Sequence, residues 1–211
     1  MDLTNKAINV IGDSITAGSG TSDIQNVYHV VLGRMMGARV VRNYGIGGTR
    51  VARFDCPEEN WGPAFVDRYA DMDDDAQLVL VFGGTNDFGH GVPLGEPGNV
   101  APETFYGAYR MLLKGLIEKY PAARIVAMTP MQRVDYAQPH PKTGKVLFDY
   151  VEAIREIAGQ LSIPVVDLYR EAGICVAIPA QRELFCPDGV HPSDAGNARL
   201  AQRLYGFLQT L

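Results

Sequence analysis

The sequence predicts an α/β fold: a five-stranded parallel sheet in which helices alternate with strands. Three observations carry this reading. Five short runs are nearly continuous in apolar and β-branched residues, the pattern of strands covered on both faces. Stretches with helical periodicity fill the gaps between them. Strand and helix therefore alternate, and right-handed crossovers join such strands into one parallel sheet. A chain of 211 residues suffices for one sizeable core and is short for two domains of about 100–200 residues each. One domain over residues 1–211 is expected.

The first strand is expected at residues 7–11, with a helix at 24–36 carrying Val27, Val31 and Met35 on one face. The second strand falls at 39–42 and the third at 77–82. A helix over 102–120 has proline at an early position and a stripe of Tyr109, Leu112, Leu113, Leu116 and Ile117. The fourth strand falls at 124–128. A helix over 145–161 follows, with Val151, Ile154, Ile157, Ala158 and Leu161 in register. A fifth strand at 164–167 precedes a last helix at 193–211, which opens on a serine cap and runs through Ala198, Leu200, Ala201, Leu204 and Leu208. Three irregular stretches, 89–102, 130–144 and 170–187, all follow strands. The carboxyl edge of such a sheet is where ligands bind, so these loops are expected to wall a pocket.

Composition narrows the function. The chain is 46% hydrophobic and 20% charged, as ordinary globular proteins are. A net charge of −5 without any Lys/Arg cluster argues against nucleic acid, whose phosphates demand such a cluster. No apolar run approaches the roughly 20 residues that span a bilayer. The N-terminus lacks a basic region followed by an apolar one, so a cytoplasmic location is expected. Cys56, Cys175 and Cys186 are odd in number and widely spaced, which reads as reduced thiols.

Four short segments carry chemistry. Gly12-Asp13-Ser14-Ile15-Thr16 follows the first strand, and Gly12 allows a tight turn that leaves the Ser14 hydroxyl exposed at the sheet edge. Thr16 stands where a G-x-S-x-G elbow would have its second glycine, so this is a different turn. Asp188 and His191 sit three residues apart before the last helix. A carboxylate there can accept from the imidazole Nδ1–H and leave Nε2 free to take a serine proton, without which the hydroxyl is a poor nucleophile. Asn86, in Gly83-Gly84-Thr85-Asn86-Asp87, offers a side-chain amide donor at the same edge. Gly48 closes Asn43-Tyr44-Gly45-Ile46-Gly47-Gly48, and its bare backbone can approach a substrate. With the Ser14 N–H, these make three candidate oxyanion donors from three strands.

In these four segments the chain resembles the SGNH hydrolases, also called the GDSL esterase/lipase family. Gly12-Asp13-Ser14-Ile15-Thr16 is similar to the family's first block and Asn43 to Gly48 its second. Gly84-Thr85-Asn86-Asp87 is similar to its third, and Asp188-Gly189-Val190-His191 to its last. The resemblance runs from residue 8 to about 196. It implies a flavodoxin-like, three-layer α/β/α fold. It implies Ser14 as nucleophile, His191 as base, Asp188 as orienting acid, and Gly48 N–H with Asn86 Nδ2 at the oxyanion. Gly45 and Gly47 compete for the second-block role, and Gly48 is chosen by its distance from Asn43.

The expected activity is hydrolysis of a small-molecule carboxylic ester through an acyl-enzyme, with neither metal nor organic cofactor. Acetyl esters of a carbohydrate or other small molecule come first. Longer-chain lysophospholipid or thioester hydrolysis, or an idle binding module on the same scaffold, are the alternatives. Asp13 and Asp87 are expected to brace loops by holding backbone N–H groups. His29, His90 and His140 lack metal-ligand spacing and are expected in structural or solvated roles. The acidic run Asp71, Asp73, Asp74 and Asp75 reads as a solvated loop, and Trp61 and Phe65 as packing on a helix face.

Overall fold

The computed structural model describes residues 1–54 and 62–211. Its five strands are β1 (Ala7–Gly12), β2 (Val40–Gly45), β3 (Leu78–Phe82), β4 (Arg124–Met128) and β5 (Val165–Val166). All pair in parallel, in the order β2-β1-β3-β4-β5. The helices are α1 (Ser14–Ala17), α2 (Tyr28–Met36), α3 (Phe65–Arg68), α4 (Thr85–His90) and α5 (Phe105–Lys119), then α6 (Leu147–Gln160), α7 (Leu168–Glu171), α8 (Pro179–Phe185) and α9 (Asp194–Leu208). This is the three-layer α/β/α arrangement with the flavodoxin-like strand order.

Strand alternation divides the core in two. Ile11, Val79, Val81, Ile125 and Ala127 face a cluster with α3, α5 and α6. Ile8, Val10, Leu78, Leu80, Phe82, Val126 and Met128 face the other, with α2 and α9. Successive residues of a strand point to opposite faces, so both faces of β1, β3 and β4 are largely apolar. They are buried almost throughout, Arg124 at the start of β4 excepted.

Register places the site. Gly12 stands opposite both Gly45 on β2 and Phe82 on β3. The carboxyl ends of three strands therefore lie level, and the loops that leave them emerge side by side. β1 is where the strand order reverses direction, the crevice in which open α/β sheets bind ligands.

Several expectations shift. β2 is an edge strand and half-buried rather than covered on both faces. The 24–36 segment breaks at Val27, whose extended backbone separates a 3-10 turn at Ile24–Asn26 from α2. α2 buries Tyr28, His29, Leu32 and Met36, while Met35 is 40% exposed. The stripe through Val31 and Met35 is thus a neighbouring face, because the break resets the helical phase. Ile117 on α5 is 36% exposed, at the margin of its buried face. The fifth strand shrinks to two residues and the last helix stops at Leu208. The 170–187 stretch is not wholly irregular, since α8 lies within it, opened by Pro179 at a position that tolerates proline.

The acidic run is tied down by cations: Asp75 pairs with Arg39 and Arg42, Asp73 with Arg42, and Asp74 with Lys119. Phe65 is buried, as expected, whereas Trp61 lies outside the described residues. Cys175 and Cys186 carry free thiols, and Cys56 lies outside the described residues. Among the described residues, no helix is long and apolar enough to cross a membrane.

Candidate active site

Ser14 is the first residue of α1, directly off β1. Asp13 caps the helix by accepting from the Ile15 N–H at 3.0 Å. Gly12 has to be glycine, since a Cβ there would lie 1.9 Å from the Thr16 hydroxyl oxygen. The turn therefore aims the Ser14 side chain out of the sheet edge, where its Oγ meets His191 Nε2 at 2.8 Å.

His191 arrives from 177 residues further along the chain, on the loop before α9. Its Nδ1 lies 2.6 Å from Asp188 Oδ2. The other carboxylate oxygen, Oδ1, accepts from the backbone N–H groups of Val190 and His191 at 2.8 and 2.7 Å. Partial burial works to raise the Asp188 carboxyl, but these bonds outweigh it and hold the group below the usual carboxylate range. It stays ionised at neutral pH and can hold the imidazole with Nδ1 protonated. On its other side the loop packs on the α1 exit. A Cβ at Gly20 would lie 2.9 Å from the His191 Cβ. Asp194 accepts from the Ser22 N–H at 2.9 Å and from the Asn26 amide at 3.0 Å.

Asn86 is the second residue of α4. Its Nδ2 donates to the Thr49 carbonyl at 3.0 Å, which fixes the amide against the loop after β2. An amide has two N–H groups, so one remains for a ligand. Gly48 sits in that loop at φ +73°, a conformation that favours glycine. Gly47 lies beside Ser14, with an added Cβ 3.9 Å from Ser14 Cβ. Gly45 lies under α1, where a Cβ would come 2.3 Å from the Ala17 nitrogen. Asn43 caps the end of β2 by accepting from the Gly45 N–H at 2.8 Å. Among the described residues, neither the Gly48 N–H nor the Ser14 N–H donates to a backbone carbonyl.

Buried charge lies beneath these loops. Asp87 accepts from the Val51 and Ala52 N–H groups, each at 3.0 Å, and Asp13 from Ile15. Both act as the loop braces expected from the sequence. Burial pushes the Asp13 carboxyl up to about 7 and that of Asp87 up to about 6. Arg68 gives no sign of itself in the sequence. Its guanidinium donates to the carbonyls of Gly12, at 2.8 Å, and Tyr44, so it ties the ends of β1 and β2 together. Burial lowers it to about 10, which still leaves it cationic. His29 is buried and its Nε2 lies 3.0 Å from the Thr16 carbonyl. Burial lowers it to about 4, so the imidazole is neutral. The Arg50 guanidinium lies 3.3 Å from His90 Nδ1, and His140 Nδ1 accepts from the Lys142 N–H at 3.2 Å.

The structure thus brings Ser14, Gly48, Asn86, Asp188 and His191 to one rim of the sheet. A hydroxyl beside an imidazole, the imidazole beside a carboxylate, and N–H groups at the same edge are groups that acyl transfer can use. The GDSL-like Lipase/Acylhydrolase family matches the chain over residues 10–199. The chain belongs to that family and is a hydrolase acting on esters. A solved structure of a protein from Lactobacillus plantarum is 32% identical, with a TM-score of 0.85 and 98% of each chain covered. A two-domain esterase active on acetylated mannans is 20% identical, with a TM-score of 0.66 over 97% of this chain and 48% of its own. An acetyl xylan esterase is 18% identical, with a TM-score of 0.65 over 96% of this chain and 99% of its own. The last two likenesses are of fold alone. No curated protein matches the chain.

Proposed function

We propose that residues 1–211 form one serine esterase domain that works through an acyl-enzyme, with Ser14 as nucleophile, His191 as base and Asp188 as orienting acid. The observation that carries this is the unbroken path from Ser14 Oγ to His191 Nε2 at 2.8 Å and from His191 Nδ1 to Asp188 Oδ2 at 2.6 Å. Ser14 attacks the ester carbonyl carbon as His191 Nε2 takes the hydroxyl proton. The resulting oxyanion receives the N–H groups of Ser14 and Gly48 and the free N–H of Asn86 Nδ2. The imidazolium then protonates the leaving alkoxide, and the C–O bond breaks. Water, deprotonated by His191, attacks the acyl-Ser14 carbonyl; the bond to Oγ breaks, the imidazolium returns its proton to Ser14, and the acid leaves. The substrate is a small-molecule ester, and the acyl group a short one, with acetyl esters of carbohydrates foremost. Support for that class comes from the two fold neighbours that act on acetylated mannans and on acetyl xylan.

Replacement of Ser14 by alanine tests the mechanism. Turnover of p-nitrophenyl acetate is expected to fall by roughly 10⁴-fold or more, with the circular dichroism spectrum unchanged. Full residual activity would remove Ser14 from the reaction. An acyl-chain series on the parent enzyme tests the substrate: a maximum at acetyl supports the assignment, and a maximum at octanoyl or beyond replaces it with a lipid or thioester substrate.

A further inference from the structure

We propose that Arg133 and Val134, adjacent in the loop after β4, form a strap that sets the spacing between the Asn86 helix and the Asp188–His191 loop, with Arg133 a positioning residue. Its catalytic consequence rests on the acyl-transfer reading above; the strap itself rests on contacts alone. Arg133 reaches one way. Its Nη1 donates to the Thr85 carbonyl at 3.3 Å, next to Asn86, and its guanidinium lies over the Phe88 ring at 5.6 Å. Nε donates to Asp135 within the same loop at 2.5 Å, which orients the group, and the side chain is only 18% exposed. Val134 reaches the other way. Its N–H donates to the Gly189 carbonyl at 3.0 Å. Gly189 lies between Asp188 and His191, at φ +79°, and a Cβ there would stand 1.8 Å from Val134 Cγ1.

Gly89 is the telling residue. It sits inside α4 with ordinary helical backbone, where glycine is less favourable than alanine. The atoms nearest to a Cβ at Gly89 all belong to the Arg133 guanidinium, beginning with Nη1 at 2.8 Å. The bare position leaves room for the arginine to lie across the helix. Two consecutive residues thus link the element that carries one proposed oxyanion donor to the loop that carries the proposed base. The dimension they fix is the one acyl transfer is sensitive to, since a misplacement of about 1 Å can cost about 10²-fold in rate.

Gly89→Ala separates positioning from stability. The added methyl displaces only the flexible end of Arg133, while alanine favours the helix. The melting temperature is expected to hold or rise while kcat on p-nitrophenyl acetate falls about tenfold, with a smaller change in KM. Arg133→Ala should lose as much, and millimolar guanidinium should restore part of it; Arg133→Lys should recover less than the parent, because one ammonium cannot serve both Thr85 and Asp135 in the same geometry. In both Gly89→Ala and Arg133→Ala, the NMR resonances of the Asn86 side-chain amide and the His191 ring should move. That readout needs no turnover, so it judges the strap even if Ser14→Ala keeps full activity and the esterase mechanism falls. Parent-like kcat and unmoved resonances in Gly89→Ala would overturn the strap, as would an Arg133→Ala loss that follows only the melting temperature.

Discussion

The two sides of the candidate site are built differently. Beneath the donor side lie Asp13, Asp87 and Arg68, all buried, holding the ends of β1 and β2 and the loop that follows β2. On the other side the Asp188 side chain is 55% exposed and that of His191 26%. Burial raises the carboxyls of the first side, to about 7 for Asp13 and about 6 for Asp87, whereas hydrogen bonds lower that of Asp188. The difference suits the two tasks proposed for these sides. Oxyanion donors stabilise charge best when they are preorganised and need not move during reaction. A base must pick up and release a proton, so it keeps contact with solvent and depends on an ionised partner. Changes on the exposed side should therefore strike rate and spare stability, and changes on the buried side should strike stability first.

Asp188→Asn is the sharpest test of the exposed side. The asparagine Oδ1 can still accept from the Val190 and His191 N–H groups, so the loop should keep its shape. Its Nδ2 then faces His191 Nδ1 as a donor, and the imidazole must answer with a lone pair there. The ring proton moves to Nε2, which can no longer take one from Ser14. A kcat loss of about 10²–10⁴-fold is expected, with little change in melting temperature. Near-parent kcat in a folded Asn variant would show that Asp188 does not set the tautomer.

The same contrast explains what the sequence made legible. Ser14, Asn86, Asp188 and His191 could be singled out as candidates because such chemistry admits few residue types, and the strand pattern put them at one edge. The sheet itself was legible because buried parallel strands need apolar residues on both faces. Arg68 was not, because its partners are carbonyls of Gly12 and Tyr44, remote in sequence and invisible to any local pattern. Arg133 and Val134 were hidden in the same way, inside a stretch that reads only as loop. The periodicity over 24–36 points to the wrong face of α2 because an extended residue at Val27 resets the helical phase. A short apolar run does not say whether a strand ends the sheet, so the sequence does not reveal β2 as a half-buried edge strand.

Asp87→Ala tests the buried side. It orphans the Val51 and Ala52 N–H groups and leaves a void where the carboxylate was. Each unsatisfied buried group costs about 1–3 kcal/mol, so a loss of roughly 3 kcal/mol in unfolding free energy is expected. Urea denaturation measures it. A loss below about 0.5 kcal/mol, the scale of a surface substitution, would break the contrast between the two sides.

The last effect concerns pH. The Asp13 carboxyl is raised in the folded protein, mainly by burial and further by the negative charge of Asp87, while the Ile15 N–H, His191 and Arg68 act against the rise. Between its ordinary value of 3.8 and about 7, the folded state holds a proton that the unfolded chain gives up. Stability linked to this group is therefore full below that interval and is lost as pH climbs through it, with a slope of at most about 1.4 kcal/mol per pH unit. Asp188 has the opposite sign, losing stability as pH falls through its depressed value, so it cannot produce this slope. In Asp13→Asn the amide oxygen can still accept from Ile15 but nothing titrates. Its unfolding free energy should change less steeply between pH 4 and pH 7 than that of the parent, leaving the contribution of Asp87, which is raised to about 6. Parallel stability curves for the two proteins would mean that Asp13 stays ionised in the folded state and that its neighbours fully offset its burial.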